Sequence, residues 1–122
     1  GELIFGADSH TCSYGALGAF GTGVGCTDFL YGMVTGKSWV LVPETVKFNL
    51  VGKLPEGVYA RDLILTIIGE IGANGCNYQV MEFTGEGAKS LSISERMVLC
   101  NMAVEAGPRY VLWLQNRIVW IM

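Results

Sequence analysis

The polar and apolar positions along the chain alternate between two periods. Leu3-Ile4-Phe5 is a short apolar run ended by Gly6, the pattern of a buried strand. Thr45 to Leu50 alternates, with Val46, Phe48 and Leu50 on one face and Lys47 and Asn49 on the other, which predicts a half-buried strand. From Ala60 to Ile71 the period changes. Leu63, Ile64, Ile67, Ile68 and Ile71 recur at helical spacing, and Gly72 and Gly75 supply a stop. Tyr78 to Phe83 reads as a further strand closed by Gly85 and Gly87. Ser92-Ile93-Ser94-Glu95 is a capping box, in which the serine accepts from the third amide and the glutamate reaches back. The helix it opens is expected to run to about Ala106 and to end at Gly107-Pro108. Strands alternating with helices predict an α/β layered architecture.

Between the first strand and the second lies a stretch of different character. Tyr14 to Tyr31 carries Gly15, Gly18, Gly21, Gly23 and Gly25 among Ala, Leu, Phe and Val. Glycine weakens an isolated helix by up to about 1 kcal/mol per residue relative to alanine, so this many implies close backbone packing or close approach to a ligand. The segment is expected to be a buried, tightly packed helix, looped near Gly21–Gly25. Lys37 to Pro43 reads as a junction, because Pro43 biases Val42 away from helix. Arg109 to Met122 is rich in Tyr, Val, Leu, Trp and Ile, and three forms stay open for it: a strand, a short amphipathic helix, or sequence foreign to the fold.

Composition narrows the class. Hydrophobic residues make up 51% of the 122 and charged residues 16%, against about 25% in an ordinary soluble domain. That much apolar surface argues against disorder. A net charge of −3 with scattered Lys and Arg argues against a nucleic-acid surface. No apolar run reaches the ~20 residues that span a bilayer. The expectation is a soluble cytoplasmic chain with no membrane and no nucleic-acid partner. Few charges and 17 glycines suggest a surface largely covered by more polypeptide, and a start in mid-strand without Met suggests a piece of a longer protein. Cys12, Cys26, Cys76 and Cys100 form no CxxC, and one His cannot complete a zinc set. Buried free thiols are expected, and no metal ligand is assigned.

Two polar clusters carry the candidate chemistry. Asp8-Ser9-His10 stands where the first strand ends, the edge at which open α/β sheets hold ligands. Neighbours on an extended chain point to opposite sides, so these three are not expected to make a nucleophilic relay. Gly21-Thr22-Gly23-Val24-Gly25-Cys26 lacks the spacing of a phosphate loop. Either Asp8 or Thr11 caps a helix and His10 is merely satisfied, or carboxylate, hydroxyl and imidazole meet a ligand. Asn101 and Glu105 lie four apart and are the only polar residues from Met97 to Ala106. They are either a solvated stripe with Ser94 or an amide and a carboxylate lining a site.

The stretch from Phe5-Gly6-Ala7-Asp8-Ser9-His10-Thr11-Cys12-Ser13-Tyr14 to Gly21-Thr22-Gly23-Val24-Gly25-Cys26-Thr27-Asp28 resembles the aconitase superfamily. The register continues through Val42-Pro43-Glu44-Thr45, Arg61-Asp62-Leu63-Ile64-Leu65 and Met81-Glu82-Phe83-Thr84-Gly85 to Cys100-Asn101-Met102-Ala103-Val104-Glu105-Ala106-Gly107. Within that superfamily the chain is most similar to the 3-isopropylmalate dehydratase large-subunit branch, which is shared with archaeal-type homoaconitase. The resemblance implies three-layer α/β/α domains around a [4Fe–4S] cluster, closed by a swivelling domain or small subunit. By this likeness, residues 1–42 are the C-terminal part of a first aconitase-like domain, 43–107 most of a second, and 108–122 an atypical tail. One iron of the cluster would bind the hydroxyl and carboxylate of the substrate as a Lewis acid. Asp8 and His10 would sit beside that iron and its water, Ser9 at the substrate carboxylate, Asn101 beside the cluster and Glu105 at the leaving hydroxyl.

The family's cluster cysteines, in a Gly-Ser-Cys-Thr-Asn and a Cys-x-x-Cys segment, have no counterpart in residues 1–122. The resemblance implies a fragment of a hydro-lyase that interconverts 2- and 3-isopropylmalate in leucine biosynthesis. Its partners would be a small hydroxy di- or tricarboxylic acid and the small subunit. A homoaconitase or aconitase-type dehydratase is the alternative substrate reading. A catalytically silent relic that only packs or binds is the alternative from another class.

Overall fold

The computed structural model describes residues 2–113. Two parallel sheets organise them. The smaller pairs β1 (Leu3–Gly6) with β2 (Phe20–Gly23), Leu3 opposite Phe20 and Gly6 opposite Gly23. The larger has the order β3 (Thr45–Asn49), β4 (Val80–Thr84) and β5 (Tyr110–Trp113), with Thr45 opposite Val80 and Val80 opposite Tyr110. Parallel neighbours need long crossovers, usually helical. Here α2 (Ala60–Ile71) joins β3 to β4, and α3 (Gly85–Ser90) with α4 (Ile93–Met102) joins β4 to β5. The chain is α/β, as its alternating periods predict.

The core lies against the larger sheet. Val80, Met81 and Phe83 of β4, Val111 of β5, Ile64 of α2 and Leu99 of α4 are fully buried. Phe48, Phe83 and Trp113 follow one another across all three strands, with ring centroids 5.6 and 5.4 Å apart. Arg96 enters this core with its guanidinium 5.2 Å above the Trp113 ring and its Nε donating to Leu91 O at 2.9 Å. A buried cation is tolerated there because it gains a carbonyl and an aromatic face.

Where the sequence carried clear local signals, the elements form as expected. α2 spans Ala60–Ile71, and Gly72 follows it at φ 79°. The capping box opens α4: Ser92 N donates to Glu95 Oε2 at 2.7 Å, and Glu95 N to Ser92 Oγ at 3.3 Å. The α-helix stops at Met102, earlier than Ala106, and Ala103–Ala106 continue as a 3₁₀ turn capped by Gly107 in the left-handed region. Gly85 and Gly87 do not close β4 but open α3. Their lack of Cβ lets the backbone press on Leu50, whose carbonyl accepts from Gly87 N at 2.9 Å.

The largest departure is Tyr14–Tyr31. It is not one buried helix. Ser9–Leu17 is a 3₁₀ segment, Phe20–Gly23 is β2, and Cys26–Thr35 is a separate helix, α1, with no buried residue. The glycines do permit close packing, but of a different kind. A Cβ at Gly15 would overlap Val111 O, and one at Gly23 would lie 2.5 Å from Asp8 O. They press the 3₁₀ segment onto β5 and β2 onto the start of that segment. β1, expected as buried, is half-open, with Leu3 exposed. Of the forms open to the stretch after Arg109, Tyr110–Trp113 takes the strand; residues 114–122 lie outside the described residues.

Candidate functional site

The first cluster sits just past the C-terminal end of β1. Asp8 has extended backbone and caps the 3₁₀ segment: its Oδ1 accepts from His10 N at 2.6 Å, and its carbonyl accepts from Thr11 Oγ1 at 2.6 Å. The capping role is therefore real, and it also folds the cluster inward. His10 Nδ1 lies 3.3 Å from both Asp8 Oδ1 and Ser9 Oγ. The side chains of His10 and Asp8 are 47% and 75% exposed. They meet because the chain turns into a 3₁₀ helix, not the extended form expected. A nucleophilic relay still fails, for another reason: carboxylate and hydroxyl both face the same ring nitrogen, whereas a relay needs one on each. In the tautomer that carries its proton on Nδ1, toward Asp8, Nε2 is the acceptor.

The second cluster reaches the first through α4. Asn101 Nδ2 donates to Ser13 Oγ at 3.1 Å, and one residue earlier on both elements Cys12 Sγ donates to Cys100 O at 3.3 Å. These paired bonds join segments 88 positions apart. They fix α4 against the 3₁₀ segment that begins at Asp8. Glu105 is exposed on the 3₁₀ turn beyond α4, and its carboxylate takes no hydrogen bond or ion pair among the described residues. Because the α-helix has ended, the four-residue spacing from Asn101 does not by itself put the two on a shared face.

Burial of Cys12 is as expected, but its bond to α4 and that of Ser13 follow no local sequence pattern, since both depend on partners far along the chain. The pairing of Arg109 with Tyr78 is likewise invisible to local pattern. Arg109 Nη1 donates to Gly23 O and Nη2 to Tyr78 Oη, both at 3.1 Å.

The cysteines do not form a metal-ligand set. Cys12, Cys76 and Cys100 are fully buried and Cys26 is exposed. Burial pushes the Cys12 thiol up to about 11 and the Cys100 thiol to about 12, which favours the thiol over the thiolate that a metal requires. No three His, Cys, Asp or Glu side chains converge on a metal position among the described residues. No helix among them is long and apolar enough to cross a membrane.

Parallel sheets with helical crossovers and a carboxylate–imidazole pair at a strand's C-terminal end define an α/β protein with a candidate acid–base site. The chain belongs to the aconitase family (aconitate hydratase), which it matches over residues 1–118. It is 59% identical over 109 residues to the 3-isopropylmalate dehydratase large subunit of Helicobacter hepaticus, covering 89% of this chain and 26% of that protein. The 3-isopropylmalate dehydratase large subunit 1 of Pyrococcus furiosus is also 59% identical over the same coverage. The 2,3-dimethylmalate dehydratase large subunit of Eubacterium barkeri is 57% identical over 107 residues, 88% of this chain and 26% of that protein. The chain thus spans about a quarter of the length of the curated relatives it matches.

Proposed function

We propose that this chain is a segment of a hydro-lyase large subunit that dehydrates and rehydrates a small branched 2-hydroxy acid, with 2- and 3-isopropylmalate as first choice. The observation that supports it is the Ser13–Asn101 bond, which ties the 3₁₀ segment that begins beside Asp8-Ser9-His10 to α4, where the second motif starts. Dehydration needs a base for the proton on carbon and an acid for the departing hydroxyl. His10 Nε2, with the ring oriented by Asp8, and the Glu105 carboxylate, which takes no partner among the described residues, supply groups of those kinds. Ser9 supplies a hydroxyl for a substrate carboxylate.

A [4Fe–4S] cluster belongs to this reading as Lewis acid. The buried thiols of this chain do not fit as its ligands, so its cysteines would come from outside residues 1–122, with Asn101 beside it. The division into residues 1–42 as the end of one aconitase-like domain and 43–107 as most of the next belongs to the same reading and is carried by the family likeness. A separate small subunit is the proposed protein partner. The two dehydratase names among relatives of nearly equal identity leave the choice of acid to parts beyond this chain.

The test is a graft. Residues 1–107 replace the matching segment of the Helicobacter hepaticus large subunit, which is assayed with its small subunit for isopropylmalate and 2,3-dimethylmalate. The graft is expected to turn over, and Glu105→Gln and His10→Ala within it are each expected to lower kcat by about 10²-fold or more. A folded graft that binds substrate but never dehydrates it would sink the proposal. The chain by itself is expected to show no turnover.

A further inference from the structure

We propose that Ser13 is a positioning residue for the acid–base site: its hydroxyl holds the Asn101 carboxamide in one orientation at the edge of the 3₁₀ segment that carries His10. This rests on the reading of His10 and Asn101 as parts of one site.

The period of the segment brings the two together. Ser9–Leu17 is a 3₁₀ helix, in which three residues make a turn and side chains three apart eclipse one another. His10 and Ser13 are three apart within it, so they stand on one edge, about 6 Å apart along the axis. An α-helix would set Ser13 about 60° around from His10. Ser13 Oγ accepts from Asn101 Nδ2 at 3.1 Å. The residue that receives Asn101 is thus the one that the 3₁₀ period stacks under His10.

The two neighbouring bonds between this segment and α4 differ in kind. Cys12 and Cys100 are fully buried, and the bond from Cys12 Sγ to Cys100 O ends on backbone. That bond fixes where α4 lies. Ser13 is half-buried and Asn101 exposed, and their bond joins two side chains at the rim. With α4 already placed by the buried contact, the rim bond adds direction. A free carboxamide turns easily, because its terminal torsion is broad. Asn101 has two N–H donors and a carbonyl. One N–H is taken by Ser13, and no other side-chain bond engages Asn101 among the described residues. Oδ1 and the second N–H therefore stay available to a ligand in a fixed orientation.

The experiment has two arms. In the whole chain, NMR follows the Asn101 side-chain NH₂ pair. Ser13→Ala is expected to move that pair toward the shifts of a free amide and to hasten its exchange with water, and Ser13→Thr, which keeps the hydroxyl, to preserve it. Cys12→Ala is expected to lower Tm and leave the pair in place. A pair that is unmoved in Ser13→Ala, or lost equally in Cys12→Ala, would overturn the positioning role. In the grafted large subunit, Ser13→Ala is expected to lower kcat for isopropylmalate on the order of tenfold, with KM and Tm little changed, and Ser13→Thr to restore it. Full kcat in Ser13→Ala, or a loss that follows Tm, would overturn this role alone and leave the proposed function standing. A folded graft without turnover would sink the proposed function and this role with it.

Discussion

At the scale of single residues, ionisation tracks the surroundings. Glu95 accepts from both the amide and the hydroxyl of Ser92, which holds its carboxyl below the ordinary 4.5. A carboxyl depressed in the fold contributes stability above its ordinary value, and that contribution is lost as pH falls through the folded value. Glu95→Gln should therefore flatten the fall in Tm between about pH 5 and 3, and should cost about 1 kcal/mol at neutral pH as the box weakens. Thermal melts across that range check it. The cysteines run the other way. Burial raises Cys12 and Cys100, so their contribution is intact below about 9 and is lost as pH climbs toward 11 and 12. Of the three buried thiols and exposed Cys26, only Cys26 should alkylate in the native chain near pH 8. Mass spectrometry after iodoacetamide should find one adduct, and four once the chain is unfolded.

At the scale of elements, β5 has the most to reveal. Val111 and Trp113 are buried, and Trp113 meets both Phe83 and Arg96. Trp113→Ala should cost about 3–5 kcal/mol, the range for emptying an aromatic core position. Urea denaturation of the variant should show a lower midpoint, and truncation after Arg109 should abolish cooperative unfolding. An unchanged midpoint would show that the strand is only an appendage. The elements also divide by what the sequence could say about them. α2 and the start of α4 were legible because their signals are local: leucines and isoleucines at helical spacing, and a serine three residues before a glutamate. β2 was not, because Phe20-Gly21-Thr22-Gly23 becomes a strand only through its pairing with Leu3–Gly6. The Gly85-Glu86-Gly87 start of α3 was missed for a related reason, since its glycines answer the Leu50 carbonyl and not a local stop. The position of Asp8-Ser9-His10 at a strand end could be read, but its inward fold onto one imidazole nitrogen could not.

At the scale of the whole molecule, apolar composition and burial part company. α1 and the segment after it present Leu30, Tyr31, Met33, Val34, Trp39 and Leu41 with more than half of each exposed. The sequence told that these residues are apolar, but not which polypeptide covers them, and so α1 was expected inside. An apolar surface of this kind drives association. Trp39→Ser with Leu41→Ser should raise the concentration at which the chain stays monomeric by light scattering, with Tm changed by no more than a degree or two, because neither side chain is in the core. A large fall in Tm would show that the segment is packed after all.

The doubled bond between Cys12–Ser13 and Cys100–Asn101 has a consequence for descent. Two neighbouring residues on one element answer two neighbouring residues on another, so a shift of one partner by a single position breaks both bonds together. Residues 1–42 and 91–107 should therefore travel as one unit when homologous chains recombine. A crossover that brings in the Asp-Ser-His end from one parent and α4 from another inherits two halves of a clasp cut to different patterns, even where each half folds well in its own background.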